Sequence, residues 1–178
     1  GAGVLMIESE VSARERGANI YCELSGVGWS FDATDDTAPD ANGQALAMKR
    51  ALLDGETDAD EIDYINAHGT STQYNDRTET EAIKIALGEA AYRTNISSTK
   101  SMTGHLAAGA GGIEAVASVL ALHNNIVPPT INYQDPDPLC DLRITPNQSL
   151  EAEISVVLSN SFGLGGQNAA AVFRGILD

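Results

Sequence analysis

Two histidines sit where chemistry is the natural reading. His68 lies in NAHGTST (residues 66–72), directly after the strand pattern IDYI and ahead of a glycine and three small hydroxyl residues. His105 lies in SSTKSMTGHLAAGAGGIEA (residues 97–115). There a strand pattern delivers Lys100, and a helix built almost wholly of Ala and Gly follows. An imidazole near a helix N-terminus meets the positive end of the dipole, which disfavours its protonated form. A neutral imidazole can donate a hydrogen bond to an oxygen that is gaining negative charge. Glu114 stands inside the same apolar helix, and a carboxylate there needs a partner. Lys100 is the nearest candidate in sequence, and such a pairing would keep it charged. The third segment is SNSFGLGGQNAA (residues 159–170). All three lie at or just past the C-terminal ends of predicted strands, where ligands bind in α/β sheets.

Other residues carry plainer readings beside the chemical one. Thr70, Ser71 and Thr72 serve equally well as a capping loop for a helix starting at Asp76 or as ligand contacts. GLGGQN precedes a strand rather than a helix, so a tight hairpin turn explains it better than a phosphate loop, and Phe162 ahead of it fits the core. His123, near the end of its helix, fits a dipole partner. Cys22 alternates with apolar residues in a strand. Cys140 sits in the acidic loop DPLCDL, which raises a thiol pKa rather than lowering it. Neither is an activated nucleophile, and both read as free thiols of a reducing compartment, with a single disulfide left open. No cluster has zinc spacing. The site thus holds two histidines and a lysine but no nucleophile.

The elements that must position these groups alternate strand and helix. GVLMI (3–7) is strand-like. SEVSARERGA is a helix starting at Ser9 and closed by Gly17. IYCELSGVGWSF is β-rich, and DATDDTAPDANG is a polar loop. GQALAMKRALLDG is a helix with Ala45, Met48, Ala51 and Leu52 on one face. IDYIN is a strand, DRTETEAIKIALGE a helix and TNISST a strand. HLAAGAGGIEAVASVLALHNN is the longest helix, and LRIT, ISVVLSNSF and AAAVFRG are strands. The expected fold class is α/β, a mixed sheet packed by helices. The chain of 178 residues is long enough for one substantial core, and 43% hydrophobic content is ordinary for a globular protein. The charge is not ordinary: 25 Asp and Glu against 10 Lys and Arg give −15. That argues against nucleic acid or an anionic membrane surface as partner. The start lacks the basic region of a signal peptide, and the longest apolar run is broken by Glu114 and too short to span a bilayer. No membrane partner is expected.

NAHGTST, SSTKSMTGH with its Gly/Ala helix, and SNSFGLGGQN, in this order, resemble the C-terminal half of the β-ketoacyl-acyl carrier protein synthases, KAS II type. The opening GAGVLMIE, the ERGA turn and VPPTINYQDPDP are similar to that family as well, so the resemblance covers essentially the whole chain. A thiolase would carry a second reactive cysteine where Phe162 stands, and the KAS III type an asparagine where His105 stands. The resemblance implies half of a thiolase-like α-β-α-β-α layered fold. Residues 1–18 would end the N-terminal half (its last strand and a linker), and residues 19–178 would form the C-terminal half-domain.

For activity, the resemblance implies a decarboxylative Claisen condensation. His68 and His105 would hold the malonyl thioester carbonyl and stabilise its enolate. Lys100 would support the site electrostatically, fixed by Glu114. Thr70 and Thr72 would bind the phosphopantetheine arm of the carrier protein. Phe162 matches the gate residue, whose backbone N–H contributes to an oxyanion hole. No cofactor is implied beyond that arm, apart from a structural monovalent cation near Asn66, Glu114 and Asn160. The nucleophilic cysteine, most of the homodimer interface and the basic docking surface for acyl carrier protein belong to the family's N-terminal half. These 178 residues alone are therefore expected to be inactive and to expose apolar surface. A cytoplasmic enzyme of fatty acid synthesis is the implied setting. A chain-length-factor-like partner and a decarboxylating homologue, both polyketide-type, are the alternatives.

Overall fold

The computed structural model describes residues 1–32 and 38–176; part of the predicted polar loop, residues 33–37, lies outside the described residues. The helices are α1 (Glu10–Glu15), α2 (Ala41–Asp54), α3 (Gln73–Leu87), α4 (Lys100–Thr103) and α5 (Ala110–Asn124). The strands are β1 (Glu23–Phe31), β2 (Tyr64–Asn66), β3 (Asn95–Ser97), β4 (Ile126–Val127), β5 (Leu150–Glu151), β6 (Val156–Gly163) and β7 (Gln167–Arg174). Five strands form one mixed sheet in the order β1-β7-β6-β2-β3. The β1/β7 and β7/β6 pairs are antiparallel, while β6/β2 and β2/β3 are parallel. The parallel centre carries the short strands whose C-terminal ends hold NAHGTST and SSTK.

Both faces of the sheet are covered, which sorts the core into two clusters. On one face α2 and α3 bring Ala45, Met48, Ala51, Leu52, Ala82, Ile83 and Leu87 against Ile65, Leu158 and Val172. On the other, α5 brings Val119, Ala121 and Leu122 against Tyr64, Val157 and Phe173. The predicted apolar face of α2 is therefore the one it buries. α2 is seated by absence of side chain on β1. A Cβ on Gly28 would stand 2.1 Å from the Ala47 carbonyl oxygen and 2.3 Å from the Ala51 nitrogen. Those are backbone atoms, so a helix must move to make room. Gly28→Ala is expected to cost about 1–3 kcal/mol, the range for an overpacked core, read as a lowered urea midpoint.

Caps follow the sequence closely. Ser9 Oγ accepts from the Ser12 N–H at the start of α1, and Gly17 beyond its end has φ +67°. The β6–β7 connection is the expected tight hairpin, with Gly165 and Gly166 at φ +83° and +75°. α5 is shorter than predicted: a 3-10 turn (Ala107–Gly109) precedes it, so His105 stands clear of its first turn.

Two predicted strands do not form. GVLMI runs against a helix rather than a strand: Gly3 lies so close to α5 that a Cβ there would stand 2.2 Å from the Gly112 carbonyl carbon. With no neighbouring strand among the described residues, this hydrophobic run has no ladder to join, and Val4 and Met6 are exposed. LRIT reaches the free edge of β3, where Ile96 N–H donates to the Arg143 carbonyl and Thr145 N–H to that of Ile96. It stays a single bridge at Ile144, because Pro146 has no N–H with which to continue.

Candidate active site

The end of β2 turns sharply at His68 and Gly69. The amides of both residues donate to one carboxylate, Glu79 of α3, at 2.8 Å each. Gly69 takes φ +39°, and a Cβ on it would stand 2.5 Å from that of Ser98, so only glycine fits. Ser98 Oγ, past the end of β3, holds the Gly69 carbonyl at 2.8 Å. The loop carrying His68 is thus fastened from α3 and from β3. Thr72 accepts from Asn75 N–H and caps α3, which begins at Gln73, three residues before the expected start. Thr70 and Thr72 hydroxyls lie 3.0 Å apart. The capping reading holds for Thr72, and both threonines also line a cavity of about 690 Å³ shared with Lys100, His105, Tyr133 and Leu142.

His68 and His105 meet edge to face, with ring centroids 5.3 Å apart. The Phe162 ring, at the end of β6, lies tilted 5.7 Å from that of His68, centroid to centroid. His68 is 6% exposed, and its Nδ1 has no hydrogen-bond partner within the protein. Burial, with the Lys100 charge and His105 adding to it, pushes its pKa down to about 3. His68 is therefore a neutral imidazole at any physiological pH. His105 is exposed to the cavity side, and its Nδ1 accepts from the Ala107 N–H at 3.2 Å. That bond leaves Nε2 as the ring nitrogen that carries a proton in the neutral form. The contact is with the turn before α5 rather than with the dipole of its first turn.

The predicted Lys100–Glu114 pairing is present. Their side chains are 4% and 2% exposed, and Nζ donates to Oε1. The other Glu114 oxygen accepts from Ser161 Oγ at 3.3 Å. Asn66 Nδ2 reaches the Glu114 carbonyl and Ser118 Oγ at 3.2 and 3.3 Å, and Thr99 Oγ1 donates to Asn66 Oδ1. Asn160 goes elsewhere: its Nδ2 bonds Glu79 Oε1 and Met48 Sδ, on the α2–α3 face. Neighbouring strand residues point to opposite faces, and Asn66 is in register with Ser159, not Asn160. The Asn66 side chain thus lies with Glu114 on the α5 side of the sheet, and that of Asn160 on the opposite side. Among the described residues no group of three or more His, Cys, Asp or Glu side chains could hold a metal ion.

Glu79 is the residue sequence reasoning missed. In DRTETEAIK it looks like one charge of a solvated helix, yet it is 3% exposed. The signal was its place on the stripe Glu79–Ala82–Ile83–Leu87, which α3 buries. Burial raises its pKa, partly offset by the Gly69 and His68 N–H groups and Asn160.

Neither cysteine is activated. Burial pushes the Cys22 thiol up to about 11. Cys140 lines the cavity but is also raised, by burial first and then by Asp137 and Asp76, against the lowering bond from Thr80. His123 closes α5 and stacks edge-on against Tyr21 at 4.9 Å, away from the site. Chemically, the constellation offers N–H donors from two imidazole rings beside the Lys100 side chain, suited to an oxygen that develops negative charge.

A histidine depressed below its unfolded value of about 6.5 contributes stability that is full above that pH and is lost as pH falls toward the folded value. NMR of the His68 ring should show no titration between about pH 5 and 8, the range in which a free histidine changes charge. A midpoint in that range would contradict the burial described here.

The C-terminal domain of β-ketoacyl synthases matches residues 21–134. The 3-oxoacyl-[acyl-carrier-protein] synthase 2 of Synechocystis sp. is 52% identical over 176 residues, covering 98% of this chain and 42% of that protein. The ishigamide ketosynthase/chain length factor superposes with a TM-score of 0.92 at 39% identity, over 96% of this chain and 42% of that one. A type II polyketide ketosynthase, solved with its acyl-carrier protein and bound to a hexaketide, gives 0.92 at 43% identity, over 95% and 42%. The chain therefore spans less than half the length of the proteins it matches. It belongs to the β-ketoacyl synthase family, and its mixed α/β fold is that of the family's C-terminal domain.

Proposed function

We propose that these residues, joined to the remainder of the relatives' length, form part of a β-ketoacyl-acyl carrier protein synthase, an acyltransferase that elongates fatty acids. The observation that carries this reading is the meeting of the neutral His68 with His105 beside the buried Lys100–Glu114 pair. An acyl group sits as a thioester on a cysteine supplied by the rest of the protein. Malonyl-carrier protein enters with its phosphopantetheine arm along Thr70 and Thr72. The bond between C2 and the carboxylate breaks, carbon dioxide leaves, and its electron pair passes to the thioester as an enolate. His68 and His105 donate to the enolate oxygen while Lys100 supplies fixed positive charge. C2 then attacks the acyl carbonyl, and the cysteine leaves as thiolate. Phe162, packed on His68, borders the acyl entry.

Carrier protein is the proposed partner, in a cytoplasmic homodimer. Seven of the ten Lys and Arg residues are already paired with carboxylates. Few cations remain free here, so the docking surface for an acidic carrier belongs to the rest of the protein. Among the described residues no helix is long and apolar enough to cross a membrane.

The test is an assay of the full-length protein with acyl- and malonyl-carrier protein. Carbon–carbon bond formation with carbon dioxide release is expected, and none from these 178 residues alone. Decarboxylation without condensation would make it a decarboxylating homologue; neither activity would make it a non-catalytic partner.

A further inference from the structure

We propose that Glu79 is a positioning residue for the proposed condensation: by holding the amides of His68 and Gly69 it sets where the His68 imidazole stands against His105. The proposal rests on the reading given above. Glu79 and Glu114 are the buried carboxylates among the described residues, and Glu114 has a lysine partner while Glu79 forms no salt bridge. A buried carboxylate without a cation is costly unless hydrogen bonds replace its water. Here four N–H donors do so: His68 N and Gly69 N at 2.8 Å, Asn160 Nδ2 at 3.3 Å and Asn75 Nδ2 at 3.4 Å. Two of the four are the backbone of the very loop that carries His68.

Capping does not account for the arrangement. The cap of α3 is Thr72, and Glu79 stands two turns into the helix, reaching back across it. Nor is the His68 ring fixed through its own Nδ1, which has no partner in the protein. What is fixed is the backbone beneath it: Glu79 grips both amides, and Ser98 Oγ grips the Gly69 carbonyl. The ring then has only its χ rotations, which His105 and Phe162 restrict by contact. Asn160 ties the same carboxylate to β6, the strand that carries Phe162. That bond is the longer one, so the tighter grip of Glu79 is on the His68 loop. A shift of about 1 Å in such a group can cost a reaction roughly 100-fold.

The experiment compares Glu79→Gln and Ser98→Ala with wild type in the full-length protein. Glu79→Gln keeps size but turns one acceptor oxygen into a donor facing an N–H. Decarboxylation of malonyl-carrier protein is expected to fall about 10- to 100-fold in kcat, as for other supporting-shell changes. KM and acyl transfer to the nucleophile should stay within about twofold, since uniform binding is untouched. The His68 ring resonance should shift and begin to titrate at higher pH as its loop loosens. Ser98→Ala, which spares the buried carboxylate, should give the same pattern, weaker. Equal loss of acyl transfer and decarboxylation, or an unmoved His68 resonance, overturns the proposal. If Glu79→Gln does not fold, Ser98→Ala alone decides: unchanged decarboxylation overturns it. If wild type has no decarboxylase activity, the reading of function fails, while the His68 resonance still tests the positioning.

Discussion

Glu114→Ala should destabilise the protein by about 3–5 kcal/mol, the range for removing one partner of a buried ion pair. The cause is what remains, not what leaves. Lys100 Nζ, at 4% side-chain exposure, would be a charge with no carboxylate and little water. Ser161 Oγ would lose its acceptor as well. The pair itself contributes far less, because bringing both charges out of water offsets most of their attraction. Replacing both, as Lys100→Met with Glu114→Leu, should therefore recover much of the loss. Urea unfolding of the two singles and the double forms a cycle that isolates the coupling. A double variant as unstable as Glu114→Ala would show that the pair is not the unit described here.

His105→Ala in the full-length protein should lower decarboxylation by about 100- to 1,000-fold, the effect of deleting one donor to a developing oxyanion. Acyl transfer to the nucleophile should persist. The asymmetry follows from the geometry: Ala107 N–H occupies Nδ1, so Nε2 is the donor, and it stands beside the cavity rather than in the core. Transfer of an acyl group onto cysteine does not need an enolate to be held. His105→Asn, which keeps an N–H near the same place, should restore part of the rate. If acyl transfer falls as far as decarboxylation, His105 serves the nucleophile instead, and its assignment to the malonyl oxygen is wrong.

The groups legible in the sequence were those whose local pattern is hard to explain as packing. A histidine followed by Gly-Thr-Ser-Thr and a lone glutamate in an Ala/Gly helix both stand out without any coordinates. The lysine just before that helix then supplies the counter-charge, and the structure places it there. Glu79 did not stand out because DRTETE has the composition of a solvated turn of helix. Its burial depends on which face α3 lays over the end of β2, a fact of packing.

Local chemistry along the chain determined the caps at Ser9 and Thr72, the glycine turn after Phe162, the buried face of α2 and the candidates His68, His105, Lys100 and Glu114. Each is written in residues a few positions apart, within reach of one turn or one helical stripe. Tertiary structure decided the rest. GVLMI and LRIT have strand composition, but a strand exists only where a neighbour supplies the other half of its ladder. Asn66 and Asn160 look like partners on paper, and the pleat of the sheet sends them to opposite faces. The meeting of His68 with His105, and the grip of Glu79 beneath it, required three loops to converge at one end of the sheet.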